Sequence, residues 1–185
     1  MAEPPLPITE LPRPADEADI AALAAVHLDA IASGASVSFM ADTPPGEVLA
    51  FWREATGSRR QATILVARDG AGRIVGTVQL QPAWAPNQPH RAEVAKLLVD
   101  REARRRGLGE ALMLAIEERA LAMGFTLLTL DTASGDADRL YRRLGWAEVG
   151  RIPGYALNPD GSPCDTMIFY RLLAQAARHD SRTRN

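Results

Sequence analysis

The tightest constraint on this chain is an alternation that starts at residue 91. The run AEVAKLLVD has the β-branched and leucine content of a strand, and an arginine-rich turn follows it, Arg104-Arg105-Arg106-Gly107-Leu108-Gly109. A helix comes next, with Leu108, Leu112, Ala115, Ile116, Ala120 and Met123 on its buried side and Gly124 as its stop. FTLLTLDT then reads as a second buried strand. A strand, helix and strand in this succession predict a βαβ unit whose strands, 91 to 99 and 125 to 130, lie parallel.

The segments around that unit read differently. ATILVARD and RIVGTVQLQPAW, separated by Gly70 and Gly72, predict a β-hairpin, and the proline-rich PAWAPNQPHR connects it to the next strand. Pro4, Pro5, Pro7 and Pro12 forbid a helix in the first dozen residues but allow a short edge strand around Leu6 to Leu11. Helices are expected over Asp16 to Ile31, from about Gly46 to Thr56, and over SGDADRLYRRLGW, the last stopped by Gly145. Two final strands, WAEVGRIPGYAL and MIFYRLL, flank the turn Asn158-Pro159-Asp160-Gly161. The order is strand, helix, helix, three strands, helix, strand, helix, two strands. It predicts an α/β or α+β fold: a mixed, mostly antiparallel sheet with a central parallel strand pair, flanked by helices. A chain of 185 residues suits one domain, expected over 1–173, with 174–185 as a flexible C-terminal tail.

Charge and cysteine content narrow the function classes. With 21 Lys and Arg against 23 Asp and Glu, the formal net charge of -2 offers no global basic field for nucleic acid or anionic lipid. No apolar run reaches the length of a membrane span, the start carries no export signal, and one cysteine, Cys164, cannot close an intramolecular disulfide. A cytoplasmic protein with no nucleic-acid or membrane partner is expected. Three scattered histidines suggest no metal site; His27 falls in the apolar stripe of the first helix and reads as a packed residue.

The chemistry concentrates where strand 91–99 meets the following helix. A glycine-containing turn at a helix start leaves backbone N–H groups outward, and the helix dipole adds to them, so the turn can cradle a phosphate or pyrophosphate. Arg104, Arg105 and Arg106 supply local positive charge. A dinucleotide fingerprint fails because Leu112 fills its third glycine position, and a P-loop fails for want of Gly-Lys-Ser/Thr. The second strand ends in Leu130-Asp131-Thr132, and the helix after it carries Tyr141. Adjacent parallel strands open a crevice at their carboxyl ends, which Asp131 and Tyr141 can face.

These segments resemble the GNAT superfamily of acyl-CoA-dependent N-acyltransferases. Arg104 to Gly109 matches the family pattern R/Q-x-x-G-x-G/A, and Ser134 to Trp146 matches N-x-x-A-x-x-L-Y-x-x-x-G-F, with Ser134 in place of Asn and Trp146 in place of Phe. Within it, GASVSFMAD, RAEVAKLLV, ARRRGLG, LDT and RIPGYALNPDG are similar to the tabtoxin resistance protein subgroup. The resemblance implies acetyl-CoA as cosubstrate, held by Leu97, Leu98, Val99, the turn Arg104, Arg105, Arg106, Gly107, Leu108, Gly109 and Glu110, and Ser134. It implies direct attack in a ternary complex by the amine of a small molecule, such as an antibiotic or toxin-like amino acid, and makes a homodimer possible.

An amine with a lysine-like pKa of about 10.4 is only about 0.1% neutral near pH 7.4, so a base, or a site that lowers that pKa, gains orders of magnitude; Glu93 and Asp131 are both candidates. Tyr141 matches the family tyrosine that protonates the departing thiolate. Phe39, Met40, Trp84 and Tyr155 are the expected acceptor contacts. Two other classes compete: a protein N-terminal or lysine acetyltransferase, which needs an open peptide groove, and an acyl-CoA sensor without catalysis.

Overall fold

The computed structural model describes residues 6–57, 62–133 and 135–173. The tail from 174 and the expected cosubstrate contact Ser134 lie outside the described residues. The chain enters through a short strand, β1 (Ile8–Glu10). Next comes α1 (Glu17–Ala32), opened by Asp16, whose side chain accepts from the Asp19 N–H. Helix α2 (Pro45–Ala55) starts on proline, whose missing N–H costs nothing in a first turn. Then come β2 (Thr63–Arg68), β3 (Ile74–Pro82) and β4 (Arg91–Val99). After a 3-10 turn at Arg101–Ala103 follow α3 (Leu108–Ala122), β5 (Leu127–Thr132), α4 (Gly135–Arg143), β6 (Ala147–Leu157) and β7 (Pro163–Leu172). The order of helices and strands agrees with the one expected.

Among the described residues seven strands form one sheet, ordered β1-β2-β3-β4-β5-β7-β6. Every neighbouring pair is antiparallel except β4 and β5, the expected parallel pair. Two boundaries differ from the sequence reading. Strand β5 begins at Leu127, not at residue 125, because the Phe125 N–H still caps α3 through the Ala120 carbonyl. Strand β7 begins at Pro163, not at Met167, and lies beside β5 with β6 outside it. Its Cys164, Thr166 and Phe169 are buried, while β6 is exposed along most of its length and takes the edge.

Two cores sandwich the sheet. Ile64, Val66 and Leu98 face α1 and α2, where Leu23, Val26, Val48 and Trp52 pack. Leu65, Val78, Leu80, Leu128, Leu130 and Phe169 face the other way, against Leu112, Met113 and Ile116 of α3 and Tyr141 of α4. His27 is fully buried in the first core. Its Nε2 lies 2.7 Å from the Val37 carbonyl and its Nδ1 accepts from Trp52 Nε1 at 3.1 Å, a structural role as expected. Among the described residues, no helix is long and apolar enough to cross a membrane, and no cluster of His, Cys, Asp and Glu could hold a metal ion.

Candidate active site

The central parallel pair comes apart. β4 and β5 are registered at Arg91 with Leu127, Ala92 with Leu128 and Glu93 with Thr129; pairing then stops, although β4 runs on to Val99 and β5 to Thr132. The cause lies on β4's other edge. Ala95 is opposite Gln79 but Leu98 is opposite Thr77, so two β4 residues, Lys96 and Leu97, bulge where β3 supplies one. Lys96 takes φ 51°, a left-handed conformation. The bulge leaves a gap between β4 and β5 bordered by backbone polar groups that no β5 residue pairs.

Acidic groups line one side of this gap. Register runs Gln81, Glu93, Thr129, Tyr170 across the sheet, on the same face as Ile64 and Val66 and so toward α1 and α2. Asp131, two residues past Thr129, shares that face. Glu93 is open to solvent on one side, yet the protein crowded against its other side and the nearby Asp131 charge push its carboxyl above the usual range; Arg91 and Lys96 oppose the shift. Asp131 Oδ2 accepts from Thr166 Oγ1 at 3.1 Å. Arg91 is braced by Thr129 Oγ1 at 3.1 Å and Gln88 Oε1 at 2.7 Å.

Tyr141 occupies the opposite face. Only 5% exposed, it packs against Trp146 and Phe169 with ring centroids 6.0 and 5.7 Å away. Burial, and then the Asp131 charge, push its phenol pKa up, so it stays protonated.

The turn into α3 has the form of an anion nest. Arg105 and Gly107 both have positive φ, 61° and 78°, and Gly107 is the residue before the first helical turn. The N–H groups at the start of α3 have no intrahelical partners. All three arginines are exposed, and Arg104 is tied back by its Nε to the Val99 carbonyl at 3.0 Å and lies 3.6 Å from Asp29. Leu108 and Leu98 bury their side chains, 6% and 4% exposed, leaving backbone to any ligand. Glu110 is paired with Arg143 at 2.9 Å.

The acetyltransferase (GNAT) family model matches residues 28–146 of this chain, from α1 to the end of α4. The chain belongs to the GNAT acetyltransferase family. It is 33% identical, over 76% of its length and 82% of the relative's, to an L-methionine sulfoximine/L-methionine sulfone acetyltransferase of Pseudomonas aeruginosa. Solved structures agree in fold. A phosphinothricin acetyltransferase of Sinorhizobium meliloti in complex with acetyl-CoA superposes with TM-score 0.76 at 20% identity, covering 93% of this chain and 90% of that one. A ribosomal-protein-alanine N-acetyltransferase of Brucella melitensis superposes with TM-score 0.72 at 24% identity, covering 91% and 100%.

In this GNAT domain the expected acceptor contacts separate into two groups. Phe39 sits in an aromatic cluster, its ring 5.1 Å from His27 and 5.7 Å from Phe51, and Met40 is half-buried beside it. Their loop roofs the acidic face. Ser36 Oγ donates to the Leu157 carbonyl at 2.7 Å, and the Ala41 N–H donates to the Pro159 carbonyl at 2.9 Å. Trp84 and Tyr155 stand apart, 92% and 56% exposed, the first beyond the last β3–β4 pair and the second where β6 loses register with β7. A cavity of about 380 Å³ opens between the β5–α4 connection and the β6–β7 hairpin, lined by Thr132, Asp138, Arg151, Asn158 and Thr166; neither Glu93 nor Tyr141 borders it.

Four residues escaped the sequence reading. Lys96, Arg91 and the pair Gln79–Gln81 share the face of Glu93, with Gln81 Nε2 donating to Gln79 Oε1 at 2.9 Å; Gln79 Nε2 and Thr77 Oγ1 are buried without a hydrogen-bond partner. One signal for Lys96 was present: Glu93 and Lys96 are polar positions three apart, a spacing one face of a regular strand cannot accommodate.

Proposed function

We propose that this enzyme transfers the acetyl group of acetyl-CoA to the primary amine of a small, amino-acid-like acceptor by direct attack in a ternary complex. One observation carries the reading: Glu93 and Asp131 lie on one face of the sheet, where β4 and β5 part, and Tyr141 is buried on the other. A thioester set in the gap would expose its carbonyl to an amine deprotonated on the α1–α2 side, while the sulfur leaves toward the phenol. Glu93 is the better base of the two acids, since its raised pKa strengthens it, whereas Thr166 holds Asp131 as a hydrogen-bond acceptor. Tyr141 gives its proton to the thiolate as the C–S bond breaks.

The residues of the family's cosubstrate site fit the same reading. The left-handed turn at Arg105 and Gly107 and the start of α3 offer donors to the pyrophosphate. Backbone of Leu97, Leu98 and Val99, freed from β5 by the bulge, can meet the pantetheine amides and the acetyl oxygen. Cys164 is not an acyl carrier in this scheme: it is 7% exposed and its Sγ lies 3.6 Å from the Asp165 carbonyl.

The acceptor class rests on the roof and on the relative from Pseudomonas aeruginosa, named for amino-acid substrates. A peptide would have to break both hydrogen bonds that join the α1–α2 loop to the β6–β7 turn. A homodimer belongs to the same reading, and Val149, Ile152 and Leu157, exposed along β6, offer apolar area for it. The test is release of coenzyme A from acetyl-CoA over a panel of amino acids, plain amines and short peptides. Turnover of a small amine supports the proposal; turnover of peptides alone, or saturable binding with no turnover, overturns it.

A further inference from the structure

The bulge does more than separate β4 from β5. In an unbroken strand Lys96 would point away from Glu93, because residues three apart alternate faces. The extra residue turns Lys96 back to the face of Glu93. There its Nζ donates to Ser38 Oγ at 2.8 Å and lies 5.7 Å from the centre of the Phe51 ring. Leu97 takes the opposite side, packing with the α3 core, and Leu98 returns to the α1–α2 core. A lysine, not a glycine, thus occupies the one left-handed position of β4.

Among the described residues no carboxylate comes within ion-pairing distance of this ammonium; one hydroxyl and an aromatic face are its partners. Glu93 and Asp131 act on it from farther off, and burial nonetheless holds its pKa below the usual lysine value. An ammonium taken partly out of water is costly until an anion meets it. The face therefore presents two acids and two cations under a single roof: Arg91, which is braced by Thr129 and Gln88, and Lys96, whose ammonium is held by one hydroxyl and a ring. An α-amino acid carries the complementary pair, an ammonium next to a carboxylate.

We propose that Lys96 binds the carboxylate of an amino-acid acceptor while Glu93 and Asp131 receive its amine, so that Lys96 sets the preference for α-amino acids over plain amines. The proposal rests on the function proposed above and narrows its acceptor. Ser38 and Phe51 hold the ammonium in place, and the α1–α2 loop brings Ser38 to it.

The experiment compares kcat/KM for L-methionine sulfone and for 3-(methylsulfonyl)propan-1-amine, the same acceptor without its carboxylate, in the wild type, Lys96→Met and Lys96→Arg. A charge-assisted hydrogen bond of the usual strength predicts a wild-type preference for the amino acid on the order of 10- to 100-fold. Lys96→Met should abolish that ratio, and Lys96→Arg should retain most of it. A role in packing alone would lower both acceptors equally and keep the ratio, which overturns the proposal; so would a wild type indifferent to the carboxylate, with the function itself left standing. Absence of coenzyme A release from the wild type with every acceptor of the panel would overturn the functional reading, and this inference with it.

Discussion

Glu93 and Tyr141 lie on opposite sides of one sheet, Glu93 at the last pair before β4 and β5 part and Tyr141 buried in the core against α3. In the proposed scheme the arrangement separates the two proton transfers of an acyl transfer, with the base among polar groups under the α1–α2 loop and the acid in an apolar core. Their environments push in the same direction, raising both pKa values, with opposite uses. A carboxyl with a raised pKa is a stronger base, and a phenol with a raised pKa is a proton donor that never idles as phenolate near neutrality.

Tyr141→Phe keeps the ring that packs against Trp146 and Phe169 and removes the proton. We expect kcat to fall on the order of 100-fold or more with the melting temperature unchanged and acetyl-CoA affinity within about threefold. Steady-state kinetics with a titration of acetyl-CoA binding checks it; an undiminished kcat would remove Tyr141 from the chemistry.

The pH profile should report Glu93. Its raised pKa means that the carboxylate is lost, as pH falls, at a higher pH than for an ordinary glutamate, so the acid limb of kcat/KM sits high. Asp131 contributes to that shift by like charge. Asp131→Asn is therefore expected to move the limb to lower pH, and Glu93→Gln to lower kcat/KM on the order of 100-fold and erase the limb. An Asp131→Asn limb that stays in place would show that the two carboxylates do not interact.

Acid stability should follow His27. Burial holds its pKa at about 4 against 6.5 for the free side chain, so the folded protein keeps it neutral while the unfolded chain takes up a proton. Stability is then lost as pH falls from about 6.5 to about 4, by about 3 kcal/mol from this residue alone. Urea unfolding at several pH values measures the loss, and a flat midpoint across that window would contradict it.

Behind the site, Glu117 of α3 accepts from Trp146 Nε1 at 2.7 Å and faces Arg171 Nε at 3.3 Å, while Arg171 Nη1 donates to the Leu144 carbonyl at 2.7 Å. Glu117→Ala leaves a buried indole N–H and a guanidinium short of their acceptor. We expect a loss of about 2–4 kcal/mol, read from the urea midpoint. Gly145→Ala should disturb the same cluster, since Gly145 has φ 80° and a Cβ there would lie 2.6 Å from Arg171 Nη1.

Local pattern carried the reading of the elements a long way. The βαβ unit follows from strand and helix periods within single segments and from the handedness of crossovers, and Glu93 and Asp131 could be placed on adjacent strands because a parallel pair shares its register direction. The glycine turn was legible because positive φ at Gly107 is a local demand on a single residue. Phe39 and Trp84 were not separable in this way: both are aromatics in loops, yet one packs against His27 and the other stands 92% exposed.

What the residue order determined, then, was the succession of elements, the parallel pair and the glycine turn into α3, since each arises from contacts along a few consecutive residues. Folding in three dimensions decided the rest. β7 enters between β5 and β6, where its side chains find a core, and the bulge that turns Lys96 to the face of Glu93 sits where β3 pairs on one edge and two different cores pack above and below. A strand's pattern states which residues alternate; where the alternation breaks is settled by the surfaces on either side, which are distant in the chain.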